Sequence, residues 1–137
     1  MGRPASSDTV TEGIRVQAAA QYLEGESEPD QRQYLFAYRI RIRNEGTRRA
    51  RLKSRHWIIV DADNHREDVR GPGVVGKTPL LAPGESFEYS SGCPLRTPWG
   101  TMEGSYTMER DDGTSFEAAV GRFFLVSSAL MPAAQNP

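Results

Sequence analysis

Three stretches of this chain hold residue types at spacings that could do chemistry. The first is Gly71-Pro72-Gly73-Val74-Val75-Gly76, which has the G-x-G-x-x-G spacing of loops that cradle a dinucleotide pyrophosphate. That chemistry needs a buried strand before the glycines and a helix after them. Arg66-Glu67-Asp68-Val69-Arg70 is too polar for a buried parallel strand, and Pro79 and Pro83 stop any helix beyond Lys77. A dinucleotide site is therefore excluded. Two readings are left: a turn that needs glycine for its backbone angles, or a nest of backbone N–H groups that takes a phosphate-like anion. The second makes Arg70, Gly71, Gly73, Gly76 and Lys77 the candidate ligand-binding residues, with Pro72 contributing no N–H.

The second stretch is Ser54-Arg55-His56-Trp57. On a strand Ser54 and His56 face the same way, which superficially suggests a nucleophile and its base. Same-face neighbours along one strand have α-carbons roughly 6.5–7 Å apart, and a nucleophile needs its base within about 3 Å. A structural histidine beside a core tryptophan is the better reading. The third stretch, Asp61-Ala62-Asp63-Asn64-His65-Arg66-Glu67-Asp68, opens like a calcium loop. Such a loop wants Gly at its sixth position and Glu at its twelfth; here those are Arg66 and Pro72. Asp61, Asp63, His65 and Asp68 could hold a divalent cation weakly, but a polar turn is the expectation and no metal site is assigned. Cys93, the single cysteine, alternates with Phe87 and Tyr89 and reads as a buried, inert thiol.

These residues must be positioned by strands. Ile14 to Ala20, Tyr34 to Ile42, Leu52 to Asp61, Phe87 to Cys93, Met102 to Met108 and Phe116 to Leu125 all alternate apolar and polar residues. Asn44-Glu45-Gly46, Asp63-Asn64, Pro83-Gly84-Glu85 and Asp111-Asp112-Gly113 punctuate them. Trp57-Ile58-Ile59-Val60 is apolar on both faces, so that strand should be central. No window has a convincing helical stripe. The pattern predicts an all-β sandwich of about seven strands. The first ten residues read as a disordered arm, residues 11–126 as the domain, and 127–137 as a flexible tail.

Between Arg39 and Arg55 lie Arg39, Arg41, Arg43, Arg48, Arg49, Arg51, Lys53 and Arg55, with Glu45 the sole acid. Alternation puts Arg39, Arg41 and Arg43 on one face and Arg51, Lys53 and Arg55 on another. Paired as a hairpin, the two strands would join these rows into a patch inviting an anionic partner; in opposite sheets the rows divide. Solvated sheet surface balanced by Glu88, Glu103, Glu109 and Glu117 is the favoured alternative. The net charge of −1 gives no argument for nucleic acid or membrane. No stretch approaches the ~20 apolar residues of a membrane span, the N-terminus lacks a signal-peptide apolar region, and one cysteine fits a reducing, cytoplasmic setting.

Six blocks in order carry a resemblance. They are Tyr22-Leu23-Glu24 with Ser27-Glu28-Pro29; Phe36-Ala37-Tyr38-Arg39-Ile40 with Ile42-Arg43-Asn44; Ser54 to Ile59; Val69 to Gly76; Leu81 to Gly92; and Gly100 to Tyr106. Together they resemble the ApaG family over residues 14 to 125. One departure is Gly121-Arg122-Phe123-Phe124, where the family usually has a proline before its phenylalanine. The resemblance implies an immunoglobulin or fibronectin type III-like sandwich, which would place the two basic strands in separate sheets. Similar domains occur in F-box only protein 3 and a polymerase delta-interacting protein, where they serve protein interaction, and bacterial members are linked to cobalt tolerance and magnesium efflux. The expected function is a non-enzymatic binding module without cofactors, with an unidentified protein as partner. The alternative is phosphate, pyrophosphate or nucleotide binding at the glycine-rich loop, and a metal sensor through Asp61, Asp63 and His65 is the weakest reading.

Overall fold

The computed structural model describes residues 4–127. Nine strands build two antiparallel sheets packed face to face. The first sheet holds β1 (Ser6–Thr11), β2 (Ile14–Tyr22), β3 (Tyr34–Asn44) and β7 (Ser86–Leu95), in the order β1-β2-β3-β7. The second holds β4 (Ala50–Asp61), β5 (Arg66–Pro72), β8 (Trp99–Arg110) and β9 (Ser115–Val126), ordered β5-β4-β8-β9, with the two-residue β6 (Leu80–Leu81) also paired to β4. β3 and β4 thus lie in different sheets, and the two basic rows are divided.

The alternation explains the core. Ile14, Val16, Phe36, Ile40 and Ile42 from one sheet meet Leu52, Tyr106, Met108, Phe123 and Leu125 from the other, all with essentially no exposure. Burying each such side chain stabilises the fold by about 1.5–3 kcal/mol relative to leaving it in water. Trp57 is the hub: its ring meets those of Tyr38, Tyr106 and Phe123 at 5.3, 6.2 and 6.1 Å, all edge-on, the arrangement that aromatic quadrupoles favour. The buried Tyr89 and Tyr106 hydroxyls satisfy one another at 2.6 Å, and desolvation pushes both phenols above their ordinary range.

Buried Asn44 pins one end of the sandwich. Its amide nitrogen donates to the Arg48 and Leu81 carbonyls at 2.8 and 2.9 Å, and its side-chain oxygen accepts from the Gly46 N–H.

Two expectations are corrected by this architecture. Among the described residues strands number nine rather than about seven, because the polar β5 and the tiny β6 line an edge where apolar alternation is not required. Residues 6–10, expected within a disordered arm, instead form β1 together with Thr11, paired with β2 from Ser6↔Ala19 to Thr11↔Ile14. Their order has a specific cause. The Ser7 hydroxyl donates to the Gly121 carbonyl and the Thr9 hydroxyl to the Ala119 carbonyl, both at 2.7 Å, while the Thr11 hydroxyl accepts from the Ala119 N–H. The Phe124 N–H donates to the Pro4 carbonyl at 2.9 Å. Alternate hydroxyls on β1 thereby satisfy the free edge of β9. Ser127 is buried, with its N–H on the Pro98 carbonyl; the rest of the expected tail lies outside the described residues.

Candidate functional site: a cleft between two sheet edges

β5 and β7 end their sheets on the opposite side of the sandwich from β1 and β9. Between them lies a cleft of about 280 Å³. Ser91, Gly92, Cys93 and Pro94 form the β7 wall and Glu67 and Val69 the β5 wall, over a floor that includes Tyr38, Trp57 and Met102. The cleft therefore opens directly onto the aromatic hub.

Arg55 also lines it, which simple alternation does not predict. A register irregularity between Leu52 and Ser54 gives β4 an extra residue at Lys53. Leu52 faces the core opposite Met108; after the bulge the core-facing positions are Arg55, opposite Tyr106, and Trp57. A bulge shifts the two-residue phase by one, so Arg55 leaves the face expected for Arg51 and Lys53 and turns inward. Its Nη1 donates to the Pro72 and Gly73 carbonyls, both at 2.9 Å. Among the described residues it has no carboxylate within ion-pair distance.

The glycine-rich loop takes its shape from this arginine and from a tight turn. Gly71 pairs with Arg55 on β4, and a β-carbon at Gly71 would come within 2.9–3.1 Å of the guanidinium. Gly73 and Gly76 have φ of +58° and +79°, the left-handed region that glycine enters without strain. The loop's N–H groups are largely committed: Gly73 donates to Lys53, Val74 to Lys77 and Lys77 to Val74, at 2.8–2.9 Å. Lys77 and Gly76 are exposed at the tip, and Arg70 sits on the outer face of the sheet opposite His56. Thus the structure brings Gly71 and Gly73 onto Arg55 through a side-chain contact and loop carbonyls. It does not gather Arg70, Gly76 and Lys77 around one point.

The other candidates resolve as follows. His56 Nε2 lies 2.8 Å from Asp68 Oδ2, and Arg66 holds the same carboxylate. Those hydrogen bonds, from Arg66 first and then His56, keep Asp68 well below the usual carboxylate range. Ser105, in register with His56, donates instead to Glu117. Donor atoms of Asp61, Asp63 and His65 lie within 4.8 Å of one another. Asp61 Oδ1, however, accepts the N–H groups of Asp63 and His65 at 2.9 and 3.0 Å, the geometry of an Asx turn. Asp68 is not part of that group. Cys93 is buried, and desolvation pushes its thiol up to about 12, so the thiolate is scarce at neutral pH. On the outer faces Glu88 lies near Arg39 and Arg41, Glu109 near Lys53 and Glu103 against Arg122. Of the basic rows, Arg39, Arg41, Arg43 and Lys53 have carboxylates nearby, Arg51 donates to the Thr78 carbonyl, and Arg55 has turned inward.

Residues 24–110 match the family model described as the ApaG domain. The chain belongs to the ApaG family. It is 56% identical over 115 residues to a Protein ApaG of Methylobacterium sp. (strain 4-46), covering 84% of this chain and 88% of that one. A Protein ApaG of Azoarcus sp. (strain BH72) is 54% identical over 119 residues, covering 87% and 94%. A crystal structure of an ApaA protein from Bordetella pertussis superposes with a TM-score of 0.81 at 45% identity, covering 93% of this chain and 98% of that one. The matched region of this ApaG domain runs from the turns after β2 to the end of β8 and so includes every residue named in the cleft. No helix among the described residues is long and apolar enough to cross a membrane.

Proposed function

We propose that this ApaG domain is a non-enzymatic binding module, working in a reducing cytoplasm, that seats an extended segment of another protein in the cleft between β5 and β7. One observation carries the reading: two sheet edges flank a cleft whose floor is the aromatic hub. A free edge offers unpaired backbone groups to an incoming strand, and pockets between alternate positions give specificity. The polar groups nearby are engaged structurally: His56 with Asp68, Ser105 with Glu117, and Arg55 with two carbonyls.

The test is amide NMR on the full chain with peptides selected from a displayed library of about ten residues, the length of β7. Shifts should centre on Ser90 to Cys93 and on Val69 to Gly71. Selected peptides that shift only the loops at the sandwich ends would sink the proposal. So would pyrophosphate shifting Gly73 to Lys77 while no peptide binds, which would favour an anion at the glycine loop.

A further inference from the structure

We infer that the occupant of the cleft is an extended peptide that adds to β7 and places an acidic side chain against Arg55. This rests on the binding reading above and names its partner class. Three observations carry it.

The two edges differ in chemistry. β5 reads Arg66-Glu67-Asp68-Val69-Arg70, so it carries four charges in five residues. Charged edges are the usual protection against strand addition. β7 has only Glu88 as a charged residue, and its stretch Ser90-Ser91-Gly92 is exposed and uncharged. Of the two, β7 is the edge that an incoming strand can pair with, over Ser90 to Cys93 and short of Pro94, which offers no N–H.

The cleft then fixes where side chains go. A strand laid along β7 points alternate side chains toward the core face, as β7 does with Tyr89, Cys93 and Leu95. Those side chains enter the space bounded by Tyr38, Val69 and Trp57. Their apolar parts would meet aromatic and aliphatic surface.

The third observation is charge. Arg55 is a cation facing the interior of the sandwich with carbonyls on one nitrogen and, although Glu67 lines the same cleft, no carboxylate within ion-pair distance among the described residues. Carbonyl oxygens satisfy donors without neutralising charge. A carboxylate brought in on the peptide would do both, by a charge-assisted hydrogen bond in a partly desolvated site. A peptide suits the cleft better than a small anion because the apolar floor and the free β7 edge also need a partner.

The experiment pans a displayed random library of about ten-residue peptides against the full chain, Arg55→Gln and Arg55→Lys, with near-ultraviolet circular dichroism confirming each fold. Peptides enriched on the wild type should share one Asp or Glu flanked at alternate positions by apolar or aromatic residues. Replacing that acid by its amide should weaken binding about tenfold. The difference should vanish on Arg55→Gln and persist on Arg55→Lys. If Arg55→Gln fails to fold, the acid and amide peptides compared on the wild type decide. Peptides that reach Ser90 to Cys93 with no acidic position would overturn this inference and leave the binding reading standing. No peptide reaching those amides would overturn both. Pyrophosphate held at Arg55 more tightly than any acidic peptide would replace the peptide with a small phosphate ligand.

Discussion

The two sides of this sandwich solve the same problem in opposite ways. Each sheet has two edges, and each edge strand has backbone groups without a partner in its own sheet. On one side β1 and β9 are stitched together: Ser7 and Thr9 hydroxyls donate to β9 carbonyls, Thr11 accepts a β9 N–H, and Pro4 accepts another. On the other side β5 and β7 stand apart around a cleft. The closed side spends its polar residues on the fold, while the open side carries its charge on β5 and leaves β7 bare. On the proposed reading, stability and binding fall to different edges of one domain, so substitutions should separate them.

The largest effect should come from removing residues 1–11. That deletes the β1 ladder and the stitches to β9, and at about 0.5–1.5 kcal/mol per lost hydrogen bond the loss should be on the order of 5 kcal/mol. Urea denaturation measures it; a loss below about 1 kcal/mol would mean the seam is ornamental. Paired glycine substitutions come next. A β-carbon at Gly121 would stand 2.9 Å from Thr9 Cγ2 and 3.3 Å from Ser7 Cβ, so Gly121→Ala should cost about 1–2 kcal/mol by prising the seam. Ser7→Ala should cost about 1 kcal/mol by leaving the Gly121 carbonyl short of a donor. Gly71→Ala should cost less, about 0.5–1 kcal/mol, because only the end of the Arg55 side chain and its hydrogen bonds to the Pro72 and Gly73 carbonyls must give way. Yet it should abolish the preference for acidic peptides. Equal stability losses at Gly121 and Gly71 would contradict the division of labour.

The sandwich was legible because most of its strands bury one face, and one buried face writes period two into the sequence. Phe36, Tyr38, Ile40 and Ile42 are all buried as their alternation requires. What escaped was edge structure. Ser7, Thr9 and Thr11 do alternate, but with hydroxyls, a signal that apolar patterning ignores even though it marks the residues bonded to β9. β5 escaped because an edge strand paired only to β4 needs little apolar surface. The cleft escaped for a different reason. Arg55 was grouped with Arg51 and Lys53, and a one-residue bulge at Lys53 reversed its direction. Nothing short of the register with β8 could reveal that. Of the glycine loop, the turn was readable, but its orientation toward Arg55 through the carbonyls of Pro72 and Gly73 depends on the same bulge.

The smallest effect contrasts the two sides electrostatically. Asp8 on β1 is held below its ordinary range chiefly by the hydrogen bond from Arg15, with Gln17 adding a weaker one. Asp68 on β5 is held down by Arg66 first and His56 second. Both carboxylates are depressed in the folded chain. Each therefore stabilises the fold above the unfolded carboxylate pKa, and that contribution is lost as pH falls through the folded value. Both pairs are well exposed, so screening keeps the contribution small. Carboxyl carbon NMR across an acid titration should show Arg15→Ala returning Asp8 most of the way to the ordinary range. Arg66→Ala should lift Asp68 only in part, because the His56 bond remains, and the double variant Arg66→Ala, His56→Ala should complete the rise. If Arg66→Ala alone restores Asp68 fully, the His56 contact contributes nothing in solution. The outer face of β5 would then be organised by one pair rather than a triad, and His56 would be free to meet whatever binds beside it.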